Sequence, residues 1–210
     1  MQKIGFCDRY GLTKAVLNGI KTTTRRMCKE KATGDIIYAK DVDSVRFYAE
    51  DNIVEFVMTN GDIKVSVPRY KQNEVVAVAQ SYKAIHNEMT NGDHYGDSMY
   101  DSFRCYPAVG TKGWCNKLFV RPDLMPHQIK INEVRIERLQ DITKDDCLRE
   151  GLNRHKDSLG FTYYYVKGIT GFYYIPRLLF ASLINSPGVG CKGFWQSNPY
   201  VVVYGFELVK

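Results

Sequence analysis

Apolar and polar residues alternate with a period of two over much of this chain, the signature of half-buried β-strands. The clearest case is a meander over residues 44–67. Ser44 to Ala49 alternates, Glu50-Asp51-Asn52 turns, and Ile53 to Met58 forms the next strand. Asn60-Gly61 is the strongest short hairpin signal in the sequence, and Ile63, Val65 and Val67 alternate after it. Val75 to Ala79 is apolar throughout and predicts a strand buried on both faces. Ile129, Ile131, Val134, Ile136 and Leu139 predict a further strand, with one slip near Asn132-Glu133 that suits a bulge. Tyr200 to Leu208 predicts the last strand, and shorter ones are expected at 3–7 and 36–39.

Helical spacing is rarer. Leu12, Ala15, Val16 and Ile20 lie near one face of a short helix that Gly19 is placed to end. Thr143 reads as the N-cap of a second helix, with Asp146 three residues on and Gly151 closing it. Arg177 to Ile184 predicts a third. Residues 86–116 show little periodicity and read as a long exposed insertion anchored at its far end by Trp114 and Cys115. Many short strands with a few short helices predict an α+β fold. The arrangement that fits is a single domain over 1–210, a mixed β-barrel with short helices at its rim and insertions near 41–67 and 86–116.

Charge sharpens the picture through its location. Residues 1–40 hold nine Lys or Arg against three acids, so the whole net charge of +6 sits there. That concentration favours an anionic partner, nucleic acid being the usual one. No apolar run follows the basic start and no stretch approaches a membrane span, so neither a signal peptide nor a membrane partner is expected. Six scattered cysteines without a CxxC pair read as reduced cytoplasmic thiols. The four histidines (His86, His94, His127, His155) read as surface or loop residues, and none stands at a ligand spacing to a cysteine. No metal and no cofactor are therefore expected.

The basic end carries the candidate chemistry. Lys21-Thr22-Thr23-Thr24-Arg25-Arg26 brackets three hydroxyls with three cations. Adjacent guanidinium forks suit phosphate or carboxylate oxygens. A lysine beside a threonine supplies a base and a nucleophile where burial or a neighbouring cation lowers the lysine pKa.

Four segments in this order resemble the ASCH domain family of the PUA-like superfamily, as a phage-type or bacterial member carrying insertions. They are Gly19 to Arg26, close to the family's G-x-K-T-x-T-x-R signature, the turn and strand from Tyr70 to Ala79, Met125 through Gly151, and Gly193 to Val203. Together they cover about half of the chain. The resemblance implies a PUA-like β-barrel that acts on RNA or modified nucleosides. Its enzymatic branch hydrolyses the amide of 4-acetylcytidine, and the carry-over places its catalytic residues at Lys21, Thr24 and Glu150. Thr24 would be the nucleophile, Lys21 its base, and Glu150 would position the lysine or handle the leaving amine's proton. Thr22, Arg25, Arg26, Trp195 and Asn198 would bind substrate or RNA. Positions three apart in a regular strand face opposite ways, so convergence of Lys21 and Thr24 requires a turn or bulge near Thr22-Thr23.

Three readings remain open at this point. One is an amidohydrolase acting on an acylated nucleoside such as 4-acetylcytidine. Another is a non-catalytic RNA-binding module, and the third is a metal-independent or metal-assisted ribonuclease. Trp114 and Trp195 read as core anchors rather than base-stacking platforms, and Tyr163-Tyr164-Tyr165 serves equally as a strand or a cleft lining.

Overall fold

A computed structural model describes residues 1–91, 110 and 112–209 of the protein. In chain order its first half comprises β1 (Lys3–Ile4), α1 (Leu12–Leu17), β2 (Thr23–Met27), β3 (Val42–Tyr48), β4 (Ile53–Met58), β5 (Ile63–Ser66), β6 (Val75–Val78) and α2 (Tyr82–Asn91). The second half comprises β7 (Gln128–Arg138), α3 (Lys144–Arg149), β8 (Asn153–Lys156), β9 (Thr162–Tyr165), α4 (Pro176–Ile184), α5 (Phe194–Ser197) and β10 (Tyr200–Leu208). The fold is mixed α+β. Among the described residues no sheet closes into a barrel, and no helix is long and apolar enough to cross a membrane.

The described chain divides into two compact units. The first comprises Met1–Phe6, Val75–Lys130 and Leu208–Lys210. Here β6 pairs in parallel with β1, through Lys3↔Ala77, and antiparallel with the start of β7, through Val76↔Ile129. Val76, Ala77 and Val78 are fully buried, while Val75 stays exposed at the strand's start. Ala77, Ala79, Tyr82, Ile85, Trp114, Val120 and Met125 form the core of this unit. The Lys3 ammonium donates to the carbonyls of Lys117, Leu118 and Val120 at 3.2, 2.6 and 2.8 Å, satisfying all three of its protons. Residues expected to begin a structureless insertion instead form α2, because Tyr82 and Ile85 lie on one helical face and bury against Trp114. Trp114 is buried, as an anchor should be, and Cys115 is exposed. The rest of the expected insertion, residues 92–109 with His94, lies outside the described residues.

The second unit comprises Cys7–Glu74 and Ile131–Glu207. The meander forms as its alternation predicts, an antiparallel sheet β3-β4-β5 with Gly61 at φ 86° in the tight turn. A second sheet runs β7-β10-β2. The first seven residues of β10 are buried, as its central place demands. Residues 36–39, expected as a strand, make only isolated bridges, Lys29↔Ile36 and Tyr38↔Pro199. β7 runs unbroken from Gln128 to Arg138. Ile20 is also exposed, because the chain leaves α1 before its last predicted apolar position.

The register of β2 against β10 sorts side chains onto two faces. Thr24 pairs with Tyr204 and Arg26 with Val202, while Thr23 pairs with Gly205 and Arg25 with Val203. The Tyr204 side of the sheet is aromatic. Its ring meets Tyr70 edge-on at 5.2 Å, and Tyr200 on the same side meets Phe56 at 5.2 Å. The Tyr204 hydroxyl accepts from the backbone N–H groups of Arg69 at 2.8 Å and Tyr70 at 3.4 Å. Tyr204→Phe keeps the ring but removes the hydroxyl that both N–H groups share as acceptor. Urea unfolding is expected to register a loss of about 1–3 kcal/mol.

Candidate functional site

The site lies in the second unit, where the turn after α1 meets the end of α3. Asn18 caps α1, Gly19 takes φ 69°, and the N–H groups of Ile20 and Lys21 both donate to the Ala15 carbonyl at 2.9 Å. The Thr22 N–H then donates to the Arg149 carbonyl at 2.8 Å, tying this turn to the last turn of α3. The Thr143 hydroxyl accepts from the Asp146 N–H at 3.1 Å, the N-cap that the sequence predicts. At the other end Gly151 takes φ +98°. A Cβ there would lie 3.2 Å from the Cβ of Lys21 and 3.4 Å from that of Ala15. Only glycine fits that conformation and that approach, so Gly151 lets Glu150 come down onto Lys21.

The Lys21 ammonium donates to Glu150 Oε2 at 2.5 Å and to the Glu150 carbonyl at 2.8 Å. Its residue is 2% exposed and Glu150 5%. The other Glu150 oxygen accepts from Arg25 Nη1 at 2.8 Å. Arg25 also donates from Nε and Nη2 to Glu137 Oε1, at 2.9 and 2.6 Å, and its Nη2 lies 3.3 Å from Asp146 Oδ2. Arg135 extends the network to Glu137, Glu133 and Asp146 at 3.0, 2.8 and 3.2 Å. Arg149 borders it at 3.6 Å from Asp146 and 3.7 Å from Glu133. Four cations therefore face four carboxylates, and the cluster is neutral.

Burial moves the protonation equilibria. Desolvation draws the Lys21 pKa below its ordinary value, outweighing the attraction of Glu150. Desolvation pushes Asp146 up, but Arg25, Arg135 and the Thr143 bond hold its carboxyl below the usual range. Burial raises the Cys28 and Cys147 thiols to about 12, which removes both as nucleophiles near neutrality.

The structure brings together Lys21, Glu150 and Arg25 from the sequence-derived set. Thr24 is buried and faces the Tyr204 side of β2, opposite to Arg25. The β2–β10 register is continuous from Thr23 to Met27, without a bulge that would turn Thr24 toward Lys21. Thr23 shares the face of Arg25 instead. Its hydroxyl is fully buried and has no hydrogen-bond partner among the described residues. Arg26 is exposed on the Thr24 side, and Thr22 is half-buried with its backbone in use. The expectation that Arg25 grips phosphate meets a physical obstacle, since its fork is committed to three carboxylates under a buried cover that includes Phe180 at 5.9 Å.

Trp195 and Asn198 belong to a different place. Trp195 is half-buried, meets Phe180 edge-on at 6.2 Å and carries the Arg177 guanidinium 5.7 Å from its ring centre. Asn198, at φ 43°, accepts from the Gln140 N–H at 2.8 Å and helps line a cleft of about 560 Å³. Tyr38, Lys40, Arg138, Gln196 and Ser197 line it too. Sequence reasoning missed Glu137, Asp146 and Arg135, although Glu133, Arg135 and Glu137 alternate along β7 at a strand's period. No family model, curated protein or solved structure matches this chain.

Glu150→Gln is expected to remove the carboxylate that the buried Lys21 and Arg25 share, a loss of about 3–5 kcal/mol in urea unfolding. Asp146 gives a pH signature. Its folded pKa lies below its unfolded one, so the unfolded state binds more protons at acid pH. Its stabilisation is complete above roughly pH 4 and is lost as the pH falls below that. Unfolding midpoints measured down an acid series should fall more shallowly for Asp146→Asn than for the wild type.

Proposed function

We propose that this chain is an RNA- or nucleotide-interacting protein of the ASCH type, its strands an elaborated form of the PUA-like barrel. The observation that carries this reading is the open cleft. Tyr38 offers a ring to stack on a base, and the exposed Lys40 and Arg138 offer charge to a phosphate. The Tyr200 phenol and Asp141 near Arg138 hold its guanidinium pKa above the ordinary value. Asn198, Gln196 and Ser197 supply donors and acceptors of the kind that read base edges. Unlike Arg25, these two cations are not buried among carboxylates.

A second reading is favoured by the 2.5 Å Lys21–Glu150 pair, an amidohydrolase acting on an acylated nucleoside. A lysine whose proton is loosened by burial can take the proton of an attacking hydroxyl and return it to the departing amine. The resemblance assigns that hydroxyl to Thr24, whereas the strand register favours Thr23.

Two assays test the readings. Calorimetric titration with cytidine monophosphate should give binding that Arg138→Ala weakens about tenfold, the value of one charge-assisted contact. Equal binding by wild type and variant would reject the cleft as the nucleotide site. Acetate release from 4-acetylcytidine that Lys21→Ala abolishes would establish the hydrolase. A wild type that releases none but shortens an RNA oligonucleotide would favour the ribonuclease instead.

A further inference from the structure

The hairpin of β8 and β9 presents its rings to the outside. Arg154 pairs with Tyr164 and His155 with Tyr163, and Tyr164 also pairs with Tyr173 through reciprocal backbone bonds of 2.7 and 3.2 Å. Three short segments thus form one small sheet with two faces. Tyr164 is 3% exposed, and the Tyr173 hydroxyl meets Ser182 of α4 at 3.2 Å, so this face turns inward. By alternation His155, Tyr163, Tyr165, Phe172 and Tyr174 share the opposite face. Phe172 and Tyr174 are each 70% exposed. Tyr163 stands at the centre of the group, with ring centroids 4.6 Å from Phe172, 5.0 Å from His155 and 6.3 Å from Tyr165.

A sheet that turns its rings outward inverts the usual order, and an exposed apolar patch of this kind marks an interaction site. The surrounding charge identifies the partner's sign. Lys167, two residues beyond Tyr165, is exposed, Arg154 and Lys156 are exposed at the hairpin's margin although alternation puts them on the Tyr164 side, and Asp157 is the sole acid between residues 153 and 175. The Asp157 carboxylate is occupied in the hairpin turn, accepting from the N–H groups of Leu159 at 3.0 Å and Phe161 at 2.8 Å. Exposed rings in edge-on and tilted contact, with cations outnumbering the single acid along the hairpin, suit unpaired bases on a phosphate backbone. We propose that this outward face of the hairpin is a stacking platform for single-stranded nucleic acid. The platform shares no residue with the cleft, and it stands whether or not a nucleotide enters there.

The test is fluorescence anisotropy with a labelled twelve-nucleotide oligouridylate, on the wild type and on an Arg138→Ala background. The double variant Phe172→Ala/Tyr174→Ala removes two highly exposed rings, so its fold is expected to survive, which thermal melting checks. It should weaken oligonucleotide binding at least tenfold in both backgrounds while leaving cytidine monophosphate binding unchanged. Lys167→Gln should weaken it too and flatten its dependence on salt. Oligonucleotide binding equal to that of the wild type in the folded double ring variant would overturn the platform. So would self-association in sedimentation, or binding to phosphatidylcholine–phosphatidylserine vesicles, that the ring variant abolishes while oligonucleotide affinity is unchanged.

Discussion

One guanidinium organises the second unit. Arg25 projects from β2 and bonds Glu137 of β7 and Glu150 at the end of α3, with Asp146 of α3 beside them. Removing a charge from water is costly, and a buried arginine is tolerated only when its whole fork is met. Meeting it fixes where α3 lies over the sheet and where Glu150 ends. Lys21 is then satisfied by the same Glu150, so two buried cations share one carboxylate. Gly151 completes the arrangement, because any side chain there would press on Lys21.

Much of the fold was legible because it rests on local rules. The meander, the Asn60-Gly61 turn, the Thr143 cap and the final strand are each written in a few neighbouring residues. The failures share a cause. Residues 36–39 have a strand's apolar character but find only single bridging partners, and residues 82–91 form a helix because Trp114, far along the chain, covers their apolar face. Pairing partners of that kind are set by tertiary contact, which a local pattern does not carry.

The candidate site was legible in composition but not in geometry. Lys21, Arg25 and Glu150 were singled out, and they meet. The role drawn for Arg25 did not account for its surroundings, since a basic motif reads alike whether it faces solvent or three acids. Those acids stand 112 to 125 positions away, and only the packing of α3 and β7 against β2 brings them in. The parity of β2 was readable, and it separates Thr24 from Arg25 in a regular strand.

The neutrality of the buried network also bears on where recognition can occur. The basic stretch that promised an anionic partner places two of its cations, Lys21 and Arg25, in pairs that leave little field outside. An anion approaching this unit would therefore meet charges elsewhere. The exposed Lys40 and Arg138 at the cleft, and Lys156 and Lys167 at the hairpin, have that character. Each group stands near exposed or half-buried rings. The buried cations hold the frame in place, and the exposed ones are left with their charge toward solvent.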